Sequence, residues 1–226
     1  MIGFQEVHTY LHLRLLRQRM PSFPHVAFGR TAVGPAGGLA TFSRVPLAAA
    51  RFDRFGGARQ AGSGLPWRAR VIAARNGSLT VRLAGHDLCV VNIHPAANHD
   101  GDWSEGNRFT PIQASQYSAI GDLVRTLPAR TVLLGDFNAP RGAPVHAALM
   151  ARAGLRDVFD AQCPPTFHPE YLRSGAKALC IDFLLGTEAV TATGAEIFLD
   201  KQVPLPGGDG YVSDHVGLRA DVLLPD

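Results

Sequence analysis

Short apolar runs separated by turn residues dominate the chain, and each run has the length of a β-strand. They are bounded by Gly, Pro or polar residues, as strands usually are. The pattern predicts strands at residues 2–6, 38–43, 70–72, 79–83, 88–94, 131–135, 180–185, 195–198 and 217–224. Three stretches rich in Gly and Pro, at residues 29–38, 56–66 and 204–210, are predicted to be loops.

Helical periodicity is less common along the chain. Residues 8–18, 111–127 and 143–153 are predicted to be helices, because apolar residues recur there every three or four positions. The second of these begins at Pro111, a residue that helices accept in their first turn. Many strands with a few interspersed helices predict an α/β fold built in layers around mixed or antiparallel sheets.

Length and composition suit one domain with a large core, since the chain has 226 residues of which 46% are hydrophobic. No apolar run approaches the ~18 residues that cross a bilayer, so we predict no transmembrane segment in this chain. Cys89, Cys163 and Cys180 lack CxxC spacing, which predicts reduced thiols and neither a disulfide framework nor a zinc site.

Charge is distributed unevenly along the chain. The first 100 residues contain twelve arginines and four acids, whereas the remaining 126 contain ten basic and fifteen acidic residues. A basic half would face a phosphate-bearing substrate. The alternative is that these arginines only solvate the surface.

Carboxylates, histidines and one amide fall at the ends of predicted strands, namely at Glu6, His94, Asp136, Asn138, Asp182, Asp214 and His215. Asp136 and Asn138 lie two residues apart, so their side chains point the same way. Asp182 lies inside an apolar run, where a carboxylate is costly unless it is paired or binds a metal. Each residue alone has an ordinary explanation, as a turn, a cap or a core histidine. A shared site explains the whole set better.

The residue types indicate the chemistry of such a site. Oxygen ligands from Glu, Asp and Asn, without thiolates or clustered histidines, suit a hard cation such as Mg²⁺, with Mn²⁺ as the alternative. Metal-assisted hydrolysis uses an Asp that aligns or deprotonates water, a His that stabilises developing charge and a second Asp that holds this His. The residues therefore predict cleavage of a phosphoester.

Six stretches of the chain resemble a known family and occur in the family's order: IGFQEV, GGLATFSRVPL, VVNIHPAAN, LLGDFNAP, IDFLLG and SDHVGL. The family is the endonuclease/exonuclease/phosphatase superfamily, which includes deoxyribonuclease I, apurinic endonucleases, inositol polyphosphate 5-phosphatases and neutral sphingomyelinases. The combination of GDFN with a later SDH is specific. The resemblance covers nearly the whole chain and implies a four-layer α/β/β/α sandwich of two mixed, mostly antiparallel sheets flanked by helices.

The resemblance also implies a role for each residue of the set. Glu6 would be the principal Mg²⁺ ligand, and Asp214 would assist at the metal directly or through water. Asp136 would orient or deprotonate the attacking water, and Asn138 would donate to the phosphate. His94 would contact the scissile phosphate or the leaving group.

The last two roles concern a histidine and its partner acid. His215 would stabilise the pentacovalent transition state. Asp182 would hydrogen-bond His215, which fixes the tautomer of the ring and raises its pKa so that it donates to a phosphate oxygen.

Two departures from the family pattern are evident. The family normally has an earlier strand that supplies an Asn near the metal, whereas only Met1 precedes the first predicted strand here. We therefore expect one domain over residues 1–226 that is truncated at its N terminus relative to the family, with an unfilled sheet edge and weaker Mg²⁺ binding. Leu179 and Cys180 replace an Arg that the family often has before Ile-Asp, so one phosphate or surface contact is expected to be missing.

Substrate contacts are expected in the long loop after His94, because such loops at strand ends usually decide the substrate. The candidates are Asn98, Trp103 and Arg108 in this loop, together with Arg44. Trp103 would stack on a base, enter a lipid surface or pack the loop onto the core. Arg44 would contact a phosphate or tether a strand end.

These observations predict a monomeric, Mg²⁺-dependent phosphodiesterase or nuclease that uses in-line attack of water, with nucleic acid as its substrate. The alternative is a phosphatase or a sphingomyelinase-like hydrolase that acts on a phospholipid or a phosphorylated small molecule. A hypothesis of a different class is a catalytically impaired binding or scaffold protein of the same fold.

Overall fold

The computed structural model describes most of the chain: residues 1–56, 64–101, 103–104, 106–160, 163–172 and 176–224. Within these residues, no helix is long and apolar enough to cross a bilayer. The three cysteines are free thiols.

The described helices are α1 Tyr10–Arg19, α2 Trp67–Ala73, α3 Thr110–Arg125 and α4 Pro144–Ala153, with short 3₁₀ turns at Ala36–Gly38 and Pro169–Tyr171. In the first half of the chain, the strands are β1 Ile2–Phe4, β2 His25–Ala27, β3 Ala40–Ser43, β4 Leu47–Arg54, β5 Gly77–Leu83 and β6 Cys89–Ile93. Those in the second half are β7 Thr131–Asp136, β8 Leu155–Asp157, β9 Asp182–Thr187, β10 Ala192–Phe198, β11 Val203–Leu205, β12 Gly208–Gly210 and β13 Gly217–Val222.

The larger sheet has the strand order β4-β5-β6-β7-β9-β8. Its neighbouring strands are antiparallel except for β6 and β7, which are parallel. Helix α3 connects these two strands, because a parallel pair needs a long crossover. Strands β6 and β7 therefore end at the same edge of the sheet, and β9, which runs against β7, begins there.

Helices α3 and α4 cover one face of this larger sheet. Alternation along β6 directs Val91 and Ile93 into the helix-covered core, where they join Tyr117 and Ile120 of α3. Val90 points the other way and joins the core on the opposite face. The sheet is thus buried on both faces.

A smaller antiparallel sheet, ordered β1-β3-β2, packs on that opposite face. Asn92 is fully buried between the two sheets, and its Nδ2 donates to the carbonyls of Phe4 and Ala40. Helix α1 covers the outer side of the small sheet, where Leu13 packs in one cluster with Phe42. The layers are therefore helix, small sheet, large sheet and helices, which confirms the predicted four-layer α/β/β/α sandwich.

The remaining strands form two-stranded antiparallel ladders, β10 with β13 and β11 with β12. Strand β13 contacts β9 of the larger sheet, and its Val222 packs against the core between the sheets. This contact places the residues before β13 close to the edge where β7 ends.

Several predicted elements are wrong. Residues 70–72 belong to α2 and not to a strand, because Ala69 and Ala73 repeat at helical spacing and pack on the core. The sequence did not indicate β4, whose alanines and charged residues suit an edge strand that is largely exposed. The predicted loop at 204–210 contains most of the β11–β12 hairpin. Of the predicted loop at 56–66, residues 57–63 lie outside the described part of the chain.

Candidate active site

The ends of β6, β7 and β9 bring acids and a histidine together at one edge of the larger sheet. His94 follows β6, Asp136 ends β7 and Asp182 begins β9. Asp136 and Asp182 are direct cross-strand partners, and both are buried. The topology thus concentrates in one place residues that are far apart in the sequence.

A glycine permits the close approach of β6 and β7 at this edge. Gly135 has a φ of 138°, a conformation that other residues rarely adopt, and a Cβ there would overlap the carbonyl oxygen of Ile93. The residue that follows is Asp136, so the position of this carboxylate depends on the glycine.

The carboxylate of Asp136 lies between two histidines. Its Oδ2 is 3.5 Å from Nε2 of His94 and 3.8 Å from Nε2 of His215. Burial would raise the pKa of Asp136, but the contact with His94 and the charges of both histidines bring it below its ordinary value. Burial would likewise lower the pKa of His94, but its contact with Asp136 and the charges of Asp136 and Glu6 raise it. The buried carboxylate is therefore ionised.

Asp182 fixes the position of His215 through a hydrogen bond, since Nδ1 of the ring lies 2.8 Å from Oδ2 of the acid. Burial alone would lower the pKa of His215, but the hydrogen bond to Asp182 and the charges of Asp182 and Asp136 raise it to about 9. Burial raises the pKa of Asp182 to about 6, which the hydrogen bond from His215 only partly opposes. The hydrogen bond from Nδ1 to Asp182 turns Nε2 of the ring toward Asp136.

Thr166 supports this pair from a segment without regular structure. Its side chain is fully buried, and Oγ1 accepts from the backbone amides of Ile181 and Asp182 at 3.0 Å each. The Thr166 hydroxyl also hydrogen-bonds the carboxylate of Asp182, which lowers the pKa of that acid. The next residue, Phe167, packs its ring edge-on against His215, with centroids 4.9 Å apart.

Asn138 follows in a strained conformation, with a φ of 54°. Its backbone amide donates to Oδ1 of Asp136 at 2.7 Å, and its Nδ2 donates to the carbonyl of Pro95 at 3.1 Å. Gln113 of α3 donates to the carbonyl of Asn138 at 2.9 Å. A left-handed, non-glycine residue that is held by so many hydrogen bonds is typical of a functional site.

Glu6 lies exposed after β1 and is also left-handed, with a φ of 58°. The residue before it is anchored, because Nε2 of Gln5 donates to Oδ1 of Asn92 at 2.7 Å. The Glu6 carboxylate is near enough to His94 for its charge to contribute to the raised pKa of the histidine. The structure therefore places Glu6 at the mouth of the site.

Asp214 is exposed beside His215. Its carbonyl accepts from the backbone amide of His168 at 2.8 Å, and Oγ of Ser213 accepts from the amide of His215 at 3.1 Å. These bonds fix the backbone that carries the acid and the histidine, while the Asp214 carboxylate remains at the surface and helps to raise the pKa of His215.

A divalent cation fits the chemistry of these residues. One ligand atom from each of Asp136, Asp182 and His215 lies within 4.8 Å of the others. Asp182 and His215 already bond each other, whereas the carboxylates of Glu6 and Asp214 are exposed. Carboxylate oxygens, without a thiolate among the site residues named here, suit a hard cation.

The four candidate substrate contacts make contacts of their own, and Arg44 follows the end of β3 that pairs with the start of β1, away from Glu6. The guanidinium of Arg108 pairs with Asp100 at 2.6 Å, and Oδ1 of Asn98 accepts from the Asp100 amide at 3.1 Å. Trp103 packs on the helix-covered core. Arg44 lies over the ring of Phe23, with the guanidinium carbon 4.8 Å from the centroid. Among the described residues, Arg44, Trp103 and Arg108 form no hydrogen bond or ion pair with Asp136.

Several buried polar residues that support the site were not predicted from the sequence: Asn76, Gln113, Gln116 and Thr166. Gln113 and Gln116 had a detectable signal, because they lie on the apolar face of the predicted helix at 111–127. The sequence contained no such signal for Asn76 and Thr166, because both lie outside the predicted elements.

The model of the endonuclease/exonuclease/phosphatase family matches residues 1–215. Among curated proteins, none matches the chain.

Solved structures with a similar fold include three relevant examples. TDP2 from D. rerio, in complex with a single-strand DNA product, has a TM-score of 0.66 at 15% identity, covering 96% of this chain and 82% of its own. Sphingomyelinase C from Streptomyces griseocarneus has a TM-score of 0.64 at 16% identity, covering 96% and 84%. A double mutant of beta toxin from Staphylococcus aureus, with bound magnesium ions, has a TM-score of 0.65 at 17% identity, covering 96% and 84%.

The family match over nearly the whole chain agrees with the four-layer fold and with the acids and histidines at one sheet edge. The chain therefore belongs to the endonuclease/exonuclease/phosphatase family and is a metal-dependent hydrolase of phosphoester bonds.

Proposed function

We propose that the chain is a Mg²⁺-dependent phosphodiesterase that uses in-line attack of water on phosphorus. The observation that supports this most is the buried carboxylate of Asp136, which lies between the Nε2 atoms of His94 and His215. A carboxylate there orients and deprotonates a water, while the two histidines donate to phosphate or leaving-group oxygens.

In this reaction the water oxygen bonds to phosphorus as the opposite P–O ester bond breaks. A water proton passes to Asp136, and the leaving oxygen takes up a proton from His94 or from solvent. The side-chain amide of Asn138 donates to a non-bridging oxygen of the phosphate. His215 stabilises the charge of the pentacovalent transition state, and Asp182 holds its ring in the tautomer that this requires.

Glu6 and Asp214 would hold the Mg²⁺, with Mn²⁺ as the alternative ion. When bound, the cation supplies positive charge that neutralises the phosphate. The left-handed backbone of Glu6 supports a functional role, because a glutamate keeps such a conformation only where its surroundings impose it.

Two substrate classes are supported by different observations. Nucleic acid is the first candidate, because the half of the chain that contributes Glu6 and His94 carries twelve arginines and only four acids. A phospholipid, cleaved as by a sphingomyelinase, is the second, because α2 beside the site exposes apolar side chains. Structures similar to the chain include a protein with a DNA product and a sphingomyelinase.

We also propose that residues 1–226 form one domain that acts as a monomer. The buried core between the two sheets, in which Asn92 links β6 to β1 and β3, supports a single unit. Gel filtration with light scattering tests the monomer.

The test of function is a substrate panel given to protein stripped of metal with EDTA. Single-stranded DNA, sphingomyelin vesicles and bis-p-nitrophenyl phosphate are each supplied with and without added Mg²⁺. We expect hydrolysis of at least one diester that EDTA abolishes and Mg²⁺ restores. Mg²⁺ binding without hydrolysis of any of them would contradict the proposal and would favour a scaffold protein.

A further inference from the structure

Helix α2 presents apolar side chains to solvent. Trp67 and Ile72 are 64% and 61% exposed, and Val71 is exposed beside them. At helical spacing Trp67 and Val71 share one face and Ile72 lies about a quarter turn further round, while Ala69 and Ala73 pack on the core. A surface helix ordinarily turns polar residues to solvent, so this face has the character of a binding surface.

The charged residues of α2 are all basic. The guanidinium carbon of Arg68 lies 5.5 Å from the ring centroid of Trp67, and Arg70 is exposed on the same helix. Within the described part of the chain, neither arginine has an ion-pair partner. The helix therefore combines exposed apolar area with unpaired positive charge.

Buried hydrogen bonds attach α2 to the candidate active site. Asn76, three residues after the helix, donates from Nδ2 to the carbonyl of His94 at 2.6 Å. Gln116 of α3 donates to the carbonyl of Ala73 at 3.1 Å and accepts from the amide of Ala96 at 2.7 Å. A surface that binds α2 would therefore lie beside the strand end that carries His94.

Helix α1, which follows Glu6, repeats the pattern. Leu11 and Leu15 are 62% and 48% exposed, and Arg14 and Arg19 flank them on the outer face. The helix contains no acidic residue. A second element at the mouth of the site is thus both apolar and basic.

The turn Ala36–Gly38 lies between the two helices. A Cβ at Gly37 would lie 3.5 Å from the carbonyl oxygen of Arg75, just after α2, and a Cβ at Gly38 would lie 3.2 Å from His8, just before α1. The end of α2 and the start of α1 therefore flank the same short turn.

We propose that α2 and α1 dock the protein onto an anionic phospholipid membrane, with Trp67, Val71 and Ile72 in the interfacial layer and the arginines against the headgroups. Exposed aliphatic side chains contribute little affinity for a nucleic acid, because its binding depends on base stacking and on contacts with phosphates. A second copy of the chain would bring unpaired arginines against one another. The membrane alone matches both the apolar area and the charge, whichever phosphoester the site cleaves.

Flotation with phosphatidylcholine vesicles, with and without phosphatidylserine, tests this docking. Wild-type protein should float with the anionic vesicles and bind neutral ones at least ~10-fold more weakly, as an arginine-dependent surface would. The variants Trp67→Ser/Ile72→Ser and Arg68→Glu/Arg70→Glu should each lose at least ~10-fold in vesicle binding. Leu223→Ser and Arg125→Glu, at exposed positions away from both helices, are the matched controls and should bind like the wild type.

Each variant is also assayed on soluble bis-p-nitrophenyl phosphate, which reports the site without a membrane. Unchanged binding of anionic vesicles by both α2 double variants would overturn the docking, as would absence of binding by the wild type. Loss of single-stranded DNA binding in the α2 variants, without vesicle binding, would assign the surface to nucleic acid and equally overturn it. Vesicle binding by a protein that cleaves no diester would contradict the proposed function and leave the docking supported.

Discussion

The imidazole of His215 is hydrogen-bonded through Nδ1 to the buried carboxylate of Asp182 at 2.8 Å. Its other ring nitrogen, Nε2, faces Asp136. We therefore expect His215 to act on the phosphate and Asp182 to position His215. His215→Ala should lower turnover by ~10²-fold or more. Asp182→Asn should lower it by about 10-fold, since the ring is misoriented but present. Steady-state kinetics of both variants, with circular dichroism as the control for folding, measures the difference. A larger loss in Asp182→Asn than in His215→Ala would contradict this division of roles.

Thr166 is expected to act through Asp182. Thr166→Val removes the hydroxyl that accepts two backbone amides and bonds the acid, whereas Thr166→Ser retains it. The valine variant should lose roughly 10-fold in kcat with little change in KM, and the serine variant should be close to wild type. A role in packing alone would instead leave the valine variant closer to the wild type than the serine variant, because valine has nearly the shape of threonine whereas serine lacks the buried methyl group.

The residues of the candidate site could largely be predicted from the sequence, since they sit at strand ends where periodicity is strong. His94 and Asp136 are examples: each follows or ends an apolar run, and parallel pairing of the two strands brings them together. Thr166 could not be predicted, because it lies in an irregular segment and acts through backbone hydrogen bonds. The ion pair of Arg108 with Asp100 could not be predicted either, because it depends on the conformation of the folded loop.

The errors in the fold have physical reasons as well. Arg70, Val71 and Ile72 have the composition of a strand, but the core contacts of Ala69 and Ala73 favour a helix. The intrinsic propensity of a short segment for strand or helix is a weaker determinant of its structure than packing against the core. The same exposed Val71 and Ile72 that suggested a strand are the residues that we propose to contact a membrane.

Gly135 should be much less tolerant of substitution than another glycine with positive φ. Gly135→Ala places a Cβ on the carbonyl oxygen of Ile93, so the two central strands must separate, and we expect a loss of about 3 kcal/mol or more in the free energy of unfolding. Gly154→Ala, at the left-handed end of α4 with open space around it, should lose only about 1 kcal/mol. Urea unfolding of both variants measures this, and equal losses would contradict the close approach.

His146 should make the fold sensitive to acid. It lies buried against Phe183, with ring centroids 4.5 Å apart, and its Nε2 has no hydrogen-bond partner among the described residues. Burial, and to a smaller extent the charge of Arg141, lowers the pKa of His146 from 6.5 to about 4. Between these values the unfolded chain binds more protons than the folded one, so acidification through this window should remove up to about 3 kcal/mol of stability.

His146→Leu tests this contribution. The variant should lose less stability than the wild type between pH 7 and pH 4, because its side chain has no proton to take up. His86→Leu, at an exposed turn, is the matched control. Identical pH profiles of unfolding free energy for His146→Leu and the wild type would show that His146 does not supply this sensitivity.

The central claim, that Asp136 activates water in a metal-dependent hydrolysis of phosphodiesters, is tested most directly by the rate of Asp136→Asn with bound Mg²⁺. The asparagine keeps the size of the side chain but cannot accept the proton of the attacking water. The substrate is the diester that the wild type cleaves best, and isothermal titration calorimetry confirms Mg²⁺ binding in both proteins. We predict that turnover falls by ~10²-fold or more while Mg²⁺ still binds. Turnover close to that of the wild type in the Mg²⁺-bound variant would contradict the account.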